Sequence, residues 1–206
     1  MTVALLCIDL INDCLSAEGK LSEGLVEFEQ KNDVLQRVAR IQEHVREQGG
    51  LVVHTRTCFT GENYHELDEV SPYFKKVKDL GALKLGDWGT EFVPAVAPKL
   101  DEPVINKHRF GPFSRTRLEI VLRSNNITEL YIVGLSTMRS VAQCAIEAHD
   151  HDFKVVVLKD GCIDVSEDTH NLGLRFIEGV AEVKDFNEVA MRIADHTADD
   201  RHKYGV

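Results

Sequence analysis

No apolar run in this 206-residue chain approaches the roughly 20 residues that span a bilayer, so a transmembrane helix is excluded. Cations are scarce: 24 Lys and Arg stand against 34 Asp and Glu, a net charge of −10. That balance argues against nucleic acid and anionic membranes as partners, although it permits a local basic pocket. Cysteine is also sparse. Cys7, Cys14, Cys58, Cys144 and Cys162 are odd in number and form no C-x-x-C or C-x-x-H pair. Neither a disulfide framework nor structural zinc is expected, and the thiols read as small buried hydrophobes. The opening Met1-Thr2-Val3-Ala4-Leu5-Leu6 lacks a basic stretch before its apolar residues, so no signal peptide and a cytoplasmic location are expected. There is no internal repeat and no low-complexity segment.

The 43% hydrophobic and 28% charged residues are ordinary for a globular protein, and the length suits one α/β domain over 1–206. Val3 to Ile8 is a continuous apolar run of the kind that a strand buried on both faces shows. Asn32 is positioned to cap a helix carrying Val34, Leu35, Val38, Ile41 and Val45, and Gly49-Gly50 would stop it. Leu51 to His54 reads as a second strand. Residues 57–100 look irregular, too long for an idle connection, and are read as a functional loop or lid. Val104-Ile105 is a short strand running into Asn106-Lys107. The pattern then gives a helix from about Ser114 to Arg123, a strand from Leu130 to Val133, and a helix from Thr137 to about His149. A strand from Lys154 to Leu158, a helix from Asp168 to Ile177, a strand from Val180 to Val183 and a helix from Phe186 to Ala194 complete it. The polar tail from His196 is expected to fray. This alternation predicts a parallel sheet with helices on both faces, whose strand C-terminal ends share one ligand-binding edge.

Three strand ends carry chemistry. Asp9 ends the first strand, Lys107 follows Val104-Ile105, and Ser140 lies one turn into the helix after Leu130 to Val133. If these strands are neighbours, a carboxylate, an ammonium and a nucleophile position meet in one cleft and make a hydrolytic set. Taken singly, each has an ordinary explanation: Asp9 as a turn or cap residue, Lys107 as a solvated charge.

The segments Leu5-Leu6-Cys7-Ile8-Asp9-Leu10, Val104-Ile105-Asn106-Lys107, Phe113-Ser114-Arg115-Thr116-Arg117-Leu118, Gly134-Leu135-Ser136-Thr137 and Val155-Val156-Val157-Leu158-Lys159-Asp160 resemble, in order, those of the isochorismatase-like hydrolases, also called the cysteine hydrolase superfamily. The resemblance spans about residues 3 to 165. It implies a Rossmann-like three-layer α/β/α fold with a six-stranded parallel sheet, no cofactor, and a homodimer or homotetramer. It implies Asp9 as acid/base and Lys107 as its charged partner. It also implies a cis peptide between Leu135 and Ser136, with backbone N–H groups near Ser140 forming an oxyanion hole.

Two departures stand out. The family's usual cysteine falls at position 140, where this chain has serine, as isochorismatases also lack that cysteine. The metal-binding Asp-x-His of nicotinamidases falls where this chain has Thr57 and Phe59, so no metal and no nicotinamidase activity are expected. Three functions follow. In the first, Asp9 is the general acid/base of an isochorismatase-type hydrolysis and Ser140 only lines the pocket. In the second, Ser140 is the nucleophile of an amide or carbamate hydrolase, although a serine usually needs a histidine base and only His108 adjoins the site in sequence. In the third, the chain binds a small molecule without turning it over.

The substrate itself is expected to be a small, acidic metabolite. Arg109, Arg139 and Arg56 stand close to the strand-end edge, and guanidinium groups hold carboxylates bidentately. Surface ion pairs explain such arginines equally well. Leu135 and Ser136 are expected at the pocket by their place beside Ser140. Among aromatics, Phe113 is read as an apolar wall, Trp88 with Gly86 and Gly89 as a lid, and Tyr64, Tyr73 and Phe74 as residues able to close over the cleft.

Overall fold

The computed structural model describes residues 3–67 and 71–194. Its first strand, β1 (Val3–Ile8), is buried along its whole length, because alternate side chains enter two cores. Val3, Leu5 and Cys7 face one cluster, and Ala4, Leu6 and Ile8 the other. A strand with no wet face has no reason to alternate polar and apolar residues, which is why it reads as one apolar run.

The chain continues through α1 (Asn12–Leu15), α2 (Leu25–Asn32), α3 (Val34–Glu47), β2 (Leu51–Thr57), α4 (Pro72–Asp79), β3 (Val104–Lys107) and α5 (Leu118–Ser124). Then follow β4 (Glu129–Leu135), α6 (Ala142–Asp150), β5 (Lys154–Ile163), α7 (Glu167–Ile177), β6 (Glu182–Lys184) and α8 (186–194). The sheet order is β3-β2-β1-β4-β5-β6, and every pairing is parallel. Among the described residues no helix is long and apolar enough to cross a membrane.

Two helical layers cover the sheet. Val38, Ile41 and Val45 of α3, with Val189 and Ile193 of α8, pack on one face. Leu118 and Leu122 of α5, Ala145 and Ala148 of α6, and Ile177 of α7 pack on the other. Each fully buried Leu, Ile or Val contributes roughly 1.5–3 kcal/mol. The order reverses at β1, whose neighbours are β2 and β4, so a crevice opens above their C-terminal ends.

Several boundaries differ from the sequence reading. Asn32 is not a cap for α3: it closes α2, donating its side-chain amide to the Phe28 carbonyl at 3.0 Å, and Asp33, at φ +50°, turns the chain into α3. The shorter α2 buries only Leu25 and Phe28, too few to mark a helical period. The segment 57–100 holds a helix. In α4, Ser71 accepts the Phe74 N–H and Pro72 takes the first turn, a pairing of cap and proline that signals a helix start. The helix expected from Ser114 begins only at Leu118, and Thr137–Val141 is a π-helical turn ahead of α6. β5 runs to Ile163, past the expected Leu158, with a register shift against β4 between Ile132 and Gly134. The tail from His196 lies outside the described residues.

That irregularity in β4 has a visible cause. Gly134 sits at φ +121°, and a Cβ there would stand 2.2 Å from the Ile8 carbonyl oxygen. Both the conformation and the approach require glycine. Gly134→Ala is expected to lower stability by about 2–4 kcal/mol and Tm by roughly 5–15 °C. Urea and thermal unfolding check this; an unchanged midpoint would refute the close approach.

Candidate active site

Asp9 leaves β1 at φ +56°, a left-handed conformation that aspartate tolerates better than most residues. Its own N–H still continues the ladder to the Thr55 carbonyl at 3.0 Å, and its carbonyl takes the Ile11 N–H at 2.8 Å. The turn so formed aims the carboxylate across the end of β2. There Oδ1 accepts the Thr57 N–H at 2.6 Å and the Thr57 hydroxyl at 3.0 Å. Oδ2 accepts the Lys107 ammonium at 2.6 Å. Lys107 also donates to the Thr57 hydroxyl at 2.7 Å and to the Arg109 carbonyl at 3.2 Å.

The pairing register explains the meeting. Thr57 lies opposite Lys107 at the ends of β2 and β3, and β2 is the neighbour of β1. Asp9, Thr57 and Lys107 are all buried. A buried ammonium is tolerated only when its protons are taken up, and three oxygens do that here. Thr57 was noted in the sequence only as a missing metal ligand; the adjacency of β1 and β2 is the signal that finds it.

The carboxylate forms part of the wall of a cavity of about 500 Å³, which Leu135, Ser136, Arg139 and Ser140 also line. The Leu135–Ser136 peptide is cis. Ser140 is buried, and among the described residues its hydroxyl makes no hydrogen bond. His108, the histidine nearest the site in sequence, directs Nδ1 to the Cys58 carbonyl at 2.7 Å instead.

β5 and α7 hold the turn that carries Ser140. Asp164 accepts the Met138 N–H at 2.8 Å. The Thr137 hydroxyl donates to the Ile163 carbonyl at 3.1 Å and pairs with His170 Nδ1 at 2.9 Å. Burial pushes the His170 pKa down, which keeps its imidazole neutral. In the sequence, the acid that follows the strand expected from Lys154 to Leu158 is Asp160. Because β5 runs on to Ile163, that place falls to Asp164, and Asp160 accepts the Phe186 N–H beside a smaller cavity.

Other expected pocket residues lie outside the wall. Phe113 packs at the rear, its ring stacked on His151 at 5.0 Å while Glu147 accepts its N–H; Phe110, three residues earlier, lines the cavity. Trp88 is half-exposed in a 3₁₀ turn tied to α1 by the Asn12 amide. Gly89 is no hinge, since it packs against the Asp13 carboxylate. Arg109 donates to the carbonyls of Glu66 and His108 and lies over Phe74. Arg56 donates to Asn106 and the Thr90 carbonyl. Tyr64 turns its hydroxyl to the Ala82 carbonyl. From the long segment, Tyr73 and Phe74 of α4 do reach the cavity.

Thr57 is bonded to Asp9 and Lys107, Phe59 is fully buried, and no group of three His, Cys, Asp or Glu among the described residues could hold an ion. All five cysteines are buried. Burial pushes Cys58 up to about 11 and Cys7 up to about 12, so neither is a reactive thiol. Cys14, the one cysteine in the cavity wall, is raised further by burial and by Asp9 and Asp13.

The isochorismatase domain family matches residues 3–188. The chain is 26% identical over 174 residues to an isochorismatase family protein of Bacillus subtilis, covering 82% of this chain and 91% of that protein. It is 26% identical over 129 residues to the maleamate amidohydrolase of Pseudomonas putida, covering 63% of this chain and 59% of that enzyme. The fold resembles that of a cysteine hydrolase from Pseudomonas syringae, with a TM-score of 0.83 at 19% identity over 94% of this chain and 92% of the other.

Lys107→Met leaves the Asp9 charge buried without its cation and is expected to cost about 3–5 kcal/mol. Adding Asp9→Asn should recover at least about 1 kcal/mol, because the two groups are coupled. A urea double-mutant cycle measures the coupling; simple additivity would mean that the pair is not formed.

Proposed function

The chain belongs to the isochorismatase family, and from that premise we propose that it hydrolyses a small anionic metabolite, with Asp9 as general acid/base and no metal. The observation that carries this reading is the donor set on Asp9. Lys107 and Thr57 give it an ammonium, a backbone N–H and a hydroxyl, so the resting group is arranged as an acceptor. A carboxylate so held takes a proton from water as it attacks and returns it to the leaving group. Lys107 keeps the carboxylate in place and balances its charge. The turn from Leu135 to Ser140 borders the carboxylate and holds the substrate's oxygen. Thr57 and Phe59 leave a metal no donors where nicotinamidases have theirs.

Serine at 140 replaces the superfamily's cysteine. On this reading Ser140 lines the pocket, because among the described residues no base touches its hydroxyl and Asp9 is already engaged by Lys107 and Thr57. A second reading, in which Ser140 forms an acyl-enzyme on an amide or carbamate, draws on its place in the same cavity as Asp9 and on the amidohydrolase among the relatives.

One paired measurement separates them. A panel of small amides, carbamates and vinyl ethers identifies a turned-over compound. On it, Asp9→Asn is expected to lower kcat/KM by about 10²–10⁴-fold, and Ser140→Ala by no more than about threefold. A collapse of about 10³-fold or more in Ser140→Ala, with an adduct on residue 140 by mass spectrometry, would install the nucleophilic reading instead.

A further inference from the structure

One partly buried cation of the cavity has no counterpart among the described residues. Arg139 is half-buried, lines the cavity, and among the described residues makes no hydrogen bond and no ion pair. Among the described residues its one partner is the ring of Tyr73, 4.9 Å from the guanidinium carbon to the centroid. Resting on the reading above, we propose that the substrate's anionic group is a carboxylate held by Arg139 over Tyr73, joined through an aryl or branched-alkyl body to the bond that is hydrolysed.

Charge supports the first half. The cavity's titratable wall holds Arg139, Lys20 and Lys76 against Asp9 and Glu23. Lys107 balances Asp9 from behind, which leaves three cations facing one acid. Lys20 is engaged with the Gly81 carbonyl at 2.6 Å, and Lys76 is exposed to water. Arg139 is therefore the cation most in need of an anion. A guanidinium taken partly out of water loses hydration that a carboxylate can replace, and a planar carboxylate matches its fork bidentately. Stacking on Tyr73 fixes the plane of that fork in advance, lowering the ordering cost of binding. A single fork, in a cavity whose wall also holds Glu23, suits a monoanion better than a phosphate dianion.

Shape and lining support the second half. A cavity of about 500 Å³ lies within the range that holds ligands of drug-like size and would stay mostly empty around a bare two- to four-carbon acid. Its aromatic wall is preassembled. Phe110 stacks on Phe74 at 5.3 Å and tilts against Tyr73 at 5.1 Å, while Leu25 and Val165 add apolar lining from other segments. Such surface rewards an apolar body and gives a small charged acid alone little to bury.

The probes are phenylacetate, its neutral isostere phenylacetamide, acetate and phenyl phosphate, with binding read by calorimetry. Wild-type protein is expected to bind phenylacetate at least about tenfold more tightly than either phenylacetamide or acetate. Arg139→Met should bring the phenylacetate-to-phenylacetamide ratio to within about twofold of one while Tm stays unchanged, and Arg139→Lys should keep only part of the preference. Equal binding of acid and amide by wild type, survival of the preference in Arg139→Met, or tighter binding of phenyl phosphate than of phenylacetate would each overturn the proposal. Asp9→Asn should retain or strengthen the preference. If it also kept hydrolytic activity, the acid/base role of Asp9 would fall while the carboxylate site stood.

Discussion

The ammonium of Lys107 is fully buried and must be satisfied by oxygens the fold supplies. That single requirement organises the reactive end of the sheet. It brings the ends of β1, β2 and β3 into mutual contact, because Asp9, Thr57 and the Arg109 carbonyl each provide one acceptor. Remove any of these and a buried charge loses a partner in a medium that cannot replace it. The left-handed turn at Asp9 belongs to the same requirement, since a carboxylate continuing straight along β1 would miss the end of β2.

Against this charged corner the other half of the site is built from backbone. The turn after β4 is held by Asp164, Thr137 and His170, none of which lines the cavity. Gly173 lets α7 approach it, since a Cβ there would stand 2.9 Å from the backbone of Met138. The cavity is thus bounded by parts that differ in character: an ion pair on the β1–β3 side, a clamped turn on the β4–β5 side, and the aromatic side chains of α4 and Phe110 across from them. The first two are buried in the sheet's own cores and can serve as a fixed reaction frame. The aromatic part comes from α4 in the long segment between β2 and β3 and from Phe110 in the connection after β3, and connections are the usual place for specificity to reside.

The sheet was legible from the sequence because its strands are buried on both faces, and continuous runs such as Val3 to Ile8 and Leu130 to Val133 leave no competing period. So was the placement of Asp9 and Lys107 on one edge, which follows from parallel strands alone. Less was legible where tertiary contacts decide. Thr57 acts through its position beside Lys107, which a linear reading without strand order does not contain. Asp164 rather than Asp160 follows the end of β5, because the extension of β5 past Leu158 is sustained by pairing with β4, not by hydrophobic pattern. Phe113, Arg109 and Arg56 stand near strand ends in the sequence, and Trp88 stands between Gly86 and Gly89. Their directions are set by local partners, Glu147, Asn12, Glu66 and Asn106 among them. α4 was hidden inside apparent irregularity although Ser71-Pro72 announces it.

The fate of sulfur in this molecule has a chemical consequence. Every thiol is enclosed, and surroundings that exclude water keep those described above protonated, while a hydroxyl stands at position 140 in the cavity wall. Peroxide and electrophilic poisons, which silence thiol-dependent enzymes by capturing a thiolate, therefore find no such sulfur in this cavity to capture.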